Sequence, residues 1–146
     1  RSQANRDVSC VNNIYTWSSS RQNPNGTAFT DFLARLNGVI TDDMDVLSHN
    51  HTENRVDQLG GYGDWRLPTI AELVSILDTT FHPRWIVPVF GPVALSPYWS
   101  STSHALDAEY AWWVGHSHEA GTWWVDSKSD SMHVRAVRGM GKALRL

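Results

Sequence analysis

The stretch Gly61-Tyr62-Gly63-Asp64-Trp65-Arg66-Leu67-Pro68-Thr69-Ile70-Ala71-Glu72-Leu73 decides the fold. A glycine turn leads into one large aromatic, then a cation, a proline stop and a helix start. Thr69 and Glu72 have the spacing of a capping box, in which each side chain bonds the other residue's backbone N–H. Pro68 keeps the residue before it out of the helical region, so Arg66-Leu67 enters as a short extended piece. Leu73, Ile76 and Leu77 recur at helical spacing and should face a core. The result is a strand–turn–helix corner with Trp65 and Arg66 at its apex. Arg66 is expected to bond backbone carbonyls or a carboxylate near Val134 to Arg138, because a buried guanidinium needs its donors met. A clamp on a ligand carboxylate is its alternative role. No nucleophile or metal cluster lies in this stretch, so it organises a fold more clearly than it performs chemistry.

Before the corner, Ile14 to Trp17 is a short β-type run, and Ser18 to Gly26 is a loop rich in turn residues. Thr27 or Thr30 can cap a helix over residues 27–37, with Phe29, Phe32, Leu33 and Leu36 as its apolar face and Gly38 just past its end. Residues 39–58 carry Asp42, Asp43, Asp45, His49, His51, Glu53 and Asp57, and read as a surface-loop insertion too polar to bury. After the corner, a helix over 69–78 is expected. Four prolines between Thr79 and Pro97 then predict irregular chain with short extended pieces such as Ile86-Val87.

The last third reads as a β-meander. Strands are expected at Tyr98 to Thr102, Tyr110 to Val114 and Thr122 to Val125, with a turn at Gly121 between the last two. A fourth is expected at His133 to Arg138, where apolar and basic residues alternate. Consecutive strand residues face opposite ways. One Trp of each pair, Trp112-Trp113 and Trp123-Trp124, should therefore be core, along with Trp65 and Trp99. The other of each pair should face outward as a sugar-stacking platform or a subunit contact, unless loops of the chain cover it.

At 146 residues the chain is long enough for one real core and reads as one domain over 1–146. Its formal net charge of −3 gives no electrostatic case for nucleic acid or an anionic membrane. No apolar run reaches the length of a membrane span. The chain begins at Arg1 without Met, and reads as a processed or trimmed product. The single Cys10 has no intrachain partner; a free thiol or a bond to another chain are its two options. Eight Trp is far above ordinary usage, and indole suits both a core and stacking on sugars.

Motifs for catalysis are absent: there is no G-x-S-x-G elbow, P-loop or H-E-x-x-H. His116-x-His118 with Glu119, and His49-x-His51 beside three aspartates, have ligand chemistry. Neither has the number or order of donors that zinc or an EF-hand calcium site requires, so solvated histidines and a solvated acidic loop are the expectation. The loops of the meander carry a mixture that recognises sugars by stacking plus directed hydrogen bonds: His104, Asp107 and Glu109, then His116, His118 and Glu119, then Lys128, beside Trp113 and Trp124. Their acidic groups leave room for a bridging calcium. Trp65, Arg66, Trp99, Arg135 and Arg138 are expected to be structural.

Gly61 to Thr69 with Glu72-Leu73, Tyr98-Trp99-Ser100-Ser101-Thr102, Ala111-Trp112 and Val134-Arg135-Ala136-Val137-Arg138-Gly139, in that order, resemble the Lcl-type C-terminal domain, which ends collagen-like bacterial adhesins. The resemblance spans roughly residues 14 to 139. It implies an α+β domain of C-type-lectin-like fold, related to formylglycine-generating enzyme, with two helices and a twisted antiparallel sheet. It also implies an exported or cell-surface protein, often trimeric, that binds a glycan. Where the family often has a Cys before the Gly-Tyr of the corner, this chain has Gly60. The family's opening strand is not recognisable, which implies a truncated chain or one completed by another chain. The catalytic cysteines of the formylglycine-generating relatives have no counterpart. The expected function is an exported surface module recognising a glycan or a surface protein. The alternative is an assembly domain of a filament or appendage whose exposed Trp residues meet other subunits as a homo-oligomer. An enzyme is not expected.

Overall fold

Tyr15–Thr16 form β1, which pairs antiparallel with β5, Ser131–Met132, through Tyr15↔Met132 and Thr16↔Ser131. The computed structural model describes residues 10–39, 58–78, 80, 86–115 and 122–139. The expected loop insertion lies outside them but for its first and last residues, and so do His116, His118, Glu119 and Gly121. The chain after Trp17 turns back so that the Gly26 N–H donates to the Trp17 carbonyl at 3.0 Å. A Cβ on Gly26 would collide with backbone atoms of Thr16, Trp17 and Ser18, so only glycine permits this approach.

The first helix lies where the apolar spacing put it, but in two parts. A π-helical segment, Ala28–Leu33, runs into α1, Ala34–Leu36. Neither threonine caps it as expected. Thr27 and Thr16 instead exchange bonds, Thr16 N to Thr27 Oγ1 at 2.9 Å and Thr27 N to Thr16 Oγ1 at 3.0 Å, which fastens the helix start to β1. Thr30 Oγ1 donates to the Gly26 carbonyl. At the other end Gly38 has φ of 70°. Gly38 N donates to Arg35 O and Val39 N to Ala34 O, a Schellman closure. Phe32, Leu33 and Leu36 are buried, and Phe29 meets Trp17 edge-on at 5.1 Å.

The corner follows the sequence pattern closely. α2 spans Ile70–Ser75, with the Thr69–Glu72 capping box formed in both directions. Arg66 and Val137 form an antiparallel bridge through both backbone bonds. The Arg66 guanidinium holds Glu72 with two bonds of 2.8 and 2.7 Å, and donates to the carbonyls of Gly139 and Leu67. Its partnership holds the Glu72 carboxyl well down, at about 2. Trp65 is half-buried rather than buried, because the corner is fixed through polar atoms. Its backbone exchanges two bonds with the Asn37 side chain, and its indole donates to Leu59 O.

β2, Tyr98–Ser103, β3, Tyr110–Val114, and β4, Trp123–Ser127, form an antiparallel sheet in that order. β2 slips register between Trp99↔Trp113 and Ser103↔Ala111. At the slip Ser100 Oγ donates to Trp112 O, and the freed backbone serves other elements: Ser100 O accepts from Trp17 Nε1, and Ser101 N donates to Pro68 O. The bulge is thus where the corner and β1 dock on the sheet. Ala111 and Trp113 face the main core of Tyr15, Trp17, Phe32, Leu36, Leu67 and Trp99. α2 packs on β2 and β3. Trp99 is fully buried with its indole donating to Tyr15 O, so truncation to Ala should cost about 3–5 kcal/mol.

One expectation is corrected. His133 to Arg138 is not a strand, although it alternates as one. Its pairing is divided: His133 makes a parallel bridge with Tyr98, and Val137 an antiparallel one with Arg66, so no single ladder forms. Ahead of β2, Ile86 bridges Leu77 and a 3-10 turn follows at Pro88–Phe90. The architecture is α+β, with two short helices and antiparallel sheets.

Candidate functional site

The register aligns one indole from each strand of the sheet, Trp99 on β2, Trp113 on β3 and Trp124 on β4. Their exposure rises across the row. Trp99 is at 0%, Trp113 is half-buried against the core, and Trp124 is at 69%. Its neighbour Trp123, opposite Val114, is at 51%. The expectation that one member of each Trp pair is core therefore fails for β4. Alternation assigns faces, but β4 is the edge of the sheet, and a face is buried only where another element covers it. Trp112 and Trp113 are both half-buried. Trp112 stacks on His104 at 5.8 Å on the face opposite Trp113. Trp113 Nε1 is buried without an acceptor.

The β4 backbone is open on its outer side as well. The antiparallel pattern, with Gly115 N donating to Thr122 O and Lys128 N to Glu109 O, turns the backbone groups of Trp124 and Asp126 toward β3. Those of Trp123, Val125 and Ser127 point away from it. Ser127 N is satisfied by Asp126 Oδ1, and Ser127 O by Asp130 N.

The polar candidates gather at the other end of the sheet. Asp107 Oδ1 accepts from Glu109 N, and Tyr110 N donates to Asp107 O, so this loop is braced by its own turn. The Glu109 carboxylate lies 3.9 Å from exposed Arg21. Asp130 is raised from the usual carboxylate range, first by burial and then by Asp126 beside it. Among the described residues no three His, Cys, Asp or Glu side chains stand close enough to hold a metal ion. His104, Asp107 and Glu109 thus share one sheet end. Trp113, Trp123 and Trp124 lie toward the tip between β3 and β4.

Lys128 is corrected outright. It was expected at a ligand-facing turn, yet it is 1% exposed. Its Nζ donates to Gln22 O at 2.9 Å and Ser103 Oγ at 2.7 Å, and lies 3.9 Å from the centre of the Trp17 ring. Burial pushes its ammonium below the usual lysine range. It ties the loop after β1 to the end of β2, and its burial keeps the ammonium from a surface ligand. Arg138 bonds Asp64 at 3.1 Å and covers the Tyr62 ring, binding the tail to the corner. Arg135 donates to the carbonyls of Phe90 and Pro92. Trp123 was not among the sequence candidates; it is exposed on a strand that has one strand neighbour among the described residues.

No helix among the described residues is long and apolar enough to cross a membrane. No curated protein and no solved structure matches the chain. The family model of the Lcl C-terminal domain matches residues 16–138, a span that runs from the second residue of β1 through the Arg66 corner, the whole three-stranded sheet and the Val137 bridge. With that match over most of its length, the chain belongs to the Lcl C-terminal domain family, and membership points to a bacterial surface-associated domain.

Proposed function

We propose that the chain is an exported binding module of the bacterial cell surface, in a C-type-lectin-like fold, that recognises a glycan or another surface ligand without transforming it. One observation carries this reading: Trp124 stands exposed on the edge strand in line with half-buried Trp113, and Trp123 stands exposed on the opposite face of the same strand. Adjacent indoles on a free edge are costly to leave in water and uncommon without an occupant. Flat apolar plates bordered by hydroxyl and backbone donors suit a sugar ring, which offers C–H faces to stack and hydroxyls to bond. Pairing of β1 with β5, which draws the two ends of the described chain together, supports the fold assignment.

A second reading rests on the same edge. The outward N–H and C=O of Trp123 and Val125 can pair with a strand of another subunit, as free edges do in assemblies. Glycan-array screening together with size-exclusion chromatography and light scattering separates the two. A monomer with array signal is the expected result. Concentration-dependent oligomers without array signal would transfer the edge to assembly.

A further inference from the structure

The guanidinium of Arg135 carries a charge that nothing in the described fold neutralises. Its Nη1 and Nη2 donate to the Phe90 and Pro92 carbonyls, its Nε is buried with no acceptor, and no carboxylate among the described residues pairs with it. The other described arginines, Arg21, Arg35, Arg66 and Arg138, each face an acid. A guanidinium without a counter-charge is a ready partner for an anion, and most readily for a carboxylate.

Arg135 is also part of the wall of a cavity of about 240 Å³. Tyr15, Phe32 and Tyr98 give that cavity aromatic walls, and His133 and Cys10 stand at its margin. Arg135 lies 5.3 Å from the Tyr98 ring centre, so ring and cation are part of one assembly. Burial lowers His133 from the ordinary imidazole range, which leaves it neutral beside the cavity. The cavity shares no residue with Trp113, Trp123 and Trp124, so it stands whether or not the surface reading does. Its size suits one ring and a headgroup.

We propose that this cavity is a binding site for a small carboxylate with an apolar or aromatic body, its carboxylate pairing with the Arg135 guanidinium and its body lying on Tyr15, Phe32 and Tyr98. The two carbonyls hold the guanidinium in place before the ligand arrives, so little side-chain freedom is lost on binding.

The test is a titration of the full chain with millimolar benzoate, followed by the backbone amide NMR signals of His133, Val134 and Arg135, with benzamide as the neutral match. Saturable benzoate shifts are expected, with benzamide weaker by roughly tenfold or more, the value of a charge-assisted bond. Arg135→Gln should reduce benzoate affinity by a similar factor. Cys10→Phe, which fills the margin and leaves Arg135 in place, should abolish binding, and it decides the matter if Arg135→Gln does not fold. No benzoate shifts, equal affinity for benzamide, or undiminished binding in a folded Arg135→Gln or Cys10→Phe protein would each overturn the proposal.

Discussion

The Arg66 corner and the β4 edge have similar raw materials, an aromatic beside polar groups, and opposite outcomes. At the corner each guanidinium nitrogen of Arg66 has an acceptor in the chain, and Trp65 is held through its backbone and its indole N–H. At the edge, Trp123 and Trp124 present their rings to solvent, and no strand among the described residues pairs with the outer side of β4. The corner's chemistry is directed inward and fixes the fold, while the edge has kept its apolar area and hydrogen-bonding capacity for something outside the described chain. Substitutions should separate the two: stability should respond at the pinned sites and recognition at the open one.

The largest expected effect is at Lys128, which shares the corner's logic though it lies one turn past β4. Lys128→Ala leaves Gln22 O and Ser103 Oγ without their donor and a void over Trp17, and should lower unfolding free energy by about 3 kcal/mol in urea titration. A loss within the error of the titration would show that the ammonium reaches solvent and belongs with the open surface.

Next is Arg66→Ala, which strands Glu72 and the Gly139 carbonyl and should cost roughly 1–3 kcal/mol by thermal or urea unfolding. Arg66→Lys should recover only part of this, since an ammonium cannot reproduce the two parallel bonds. An unchanged midpoint with lost ligand binding would move Arg66 from pin to clamp.

A smaller effect follows from Glu72. Its folded carboxyl titrates at about 2 against an ordinary value of 4.5, mainly because of the Arg66 bond. A lowered carboxyl stabilises the fold above the ordinary value, and that contribution is lost as pH falls toward the folded value. Stability should therefore decline between pH 4.5 and about 2. The part due to Glu72 should be about 1 kcal/mol, because a third of the side chain is in water. Glu72→Gln should remove that share of the slope, and an identical slope in the variant would show that other carboxyls dominate.

How far the sequence could be read divides along the same line. The capping box, the Arg66 pin and the order of the sheet strands were legible because each depends on residues a few positions apart or on alternation within one strand. Lys128 was not, because Asp126-Ser127-Lys128-Ser129-Asp130 has the composition of a solvated turn. What buries it is a carbonyl 106 residues earlier in the chain. Likewise His133 to Arg138 alternates correctly, but its two bridges go to different elements, which alternation cannot reveal. The exposure of both Trp123 and Trp124 depends on what is absent beyond β4, and a strand's own sequence does not state its neighbours. The polar candidates His104, Asp107 and Glu109 were legible as a loop, but not as lying at the opposite sheet end.

The most direct test of the surface account compares the parent with Trp124→Ala and Trp123→Ala, scoring binding to the parent's strongest array glycan and thermal midpoint together. Exposed side chains contribute little to folding, so each variant should stay within about 0.5 kcal/mol of the parent in stability while losing most of its binding. Folded variants that bind as well as the parent, with and without a calcium chelator, would contradict the account and remove the β4 edge as its ligand surface.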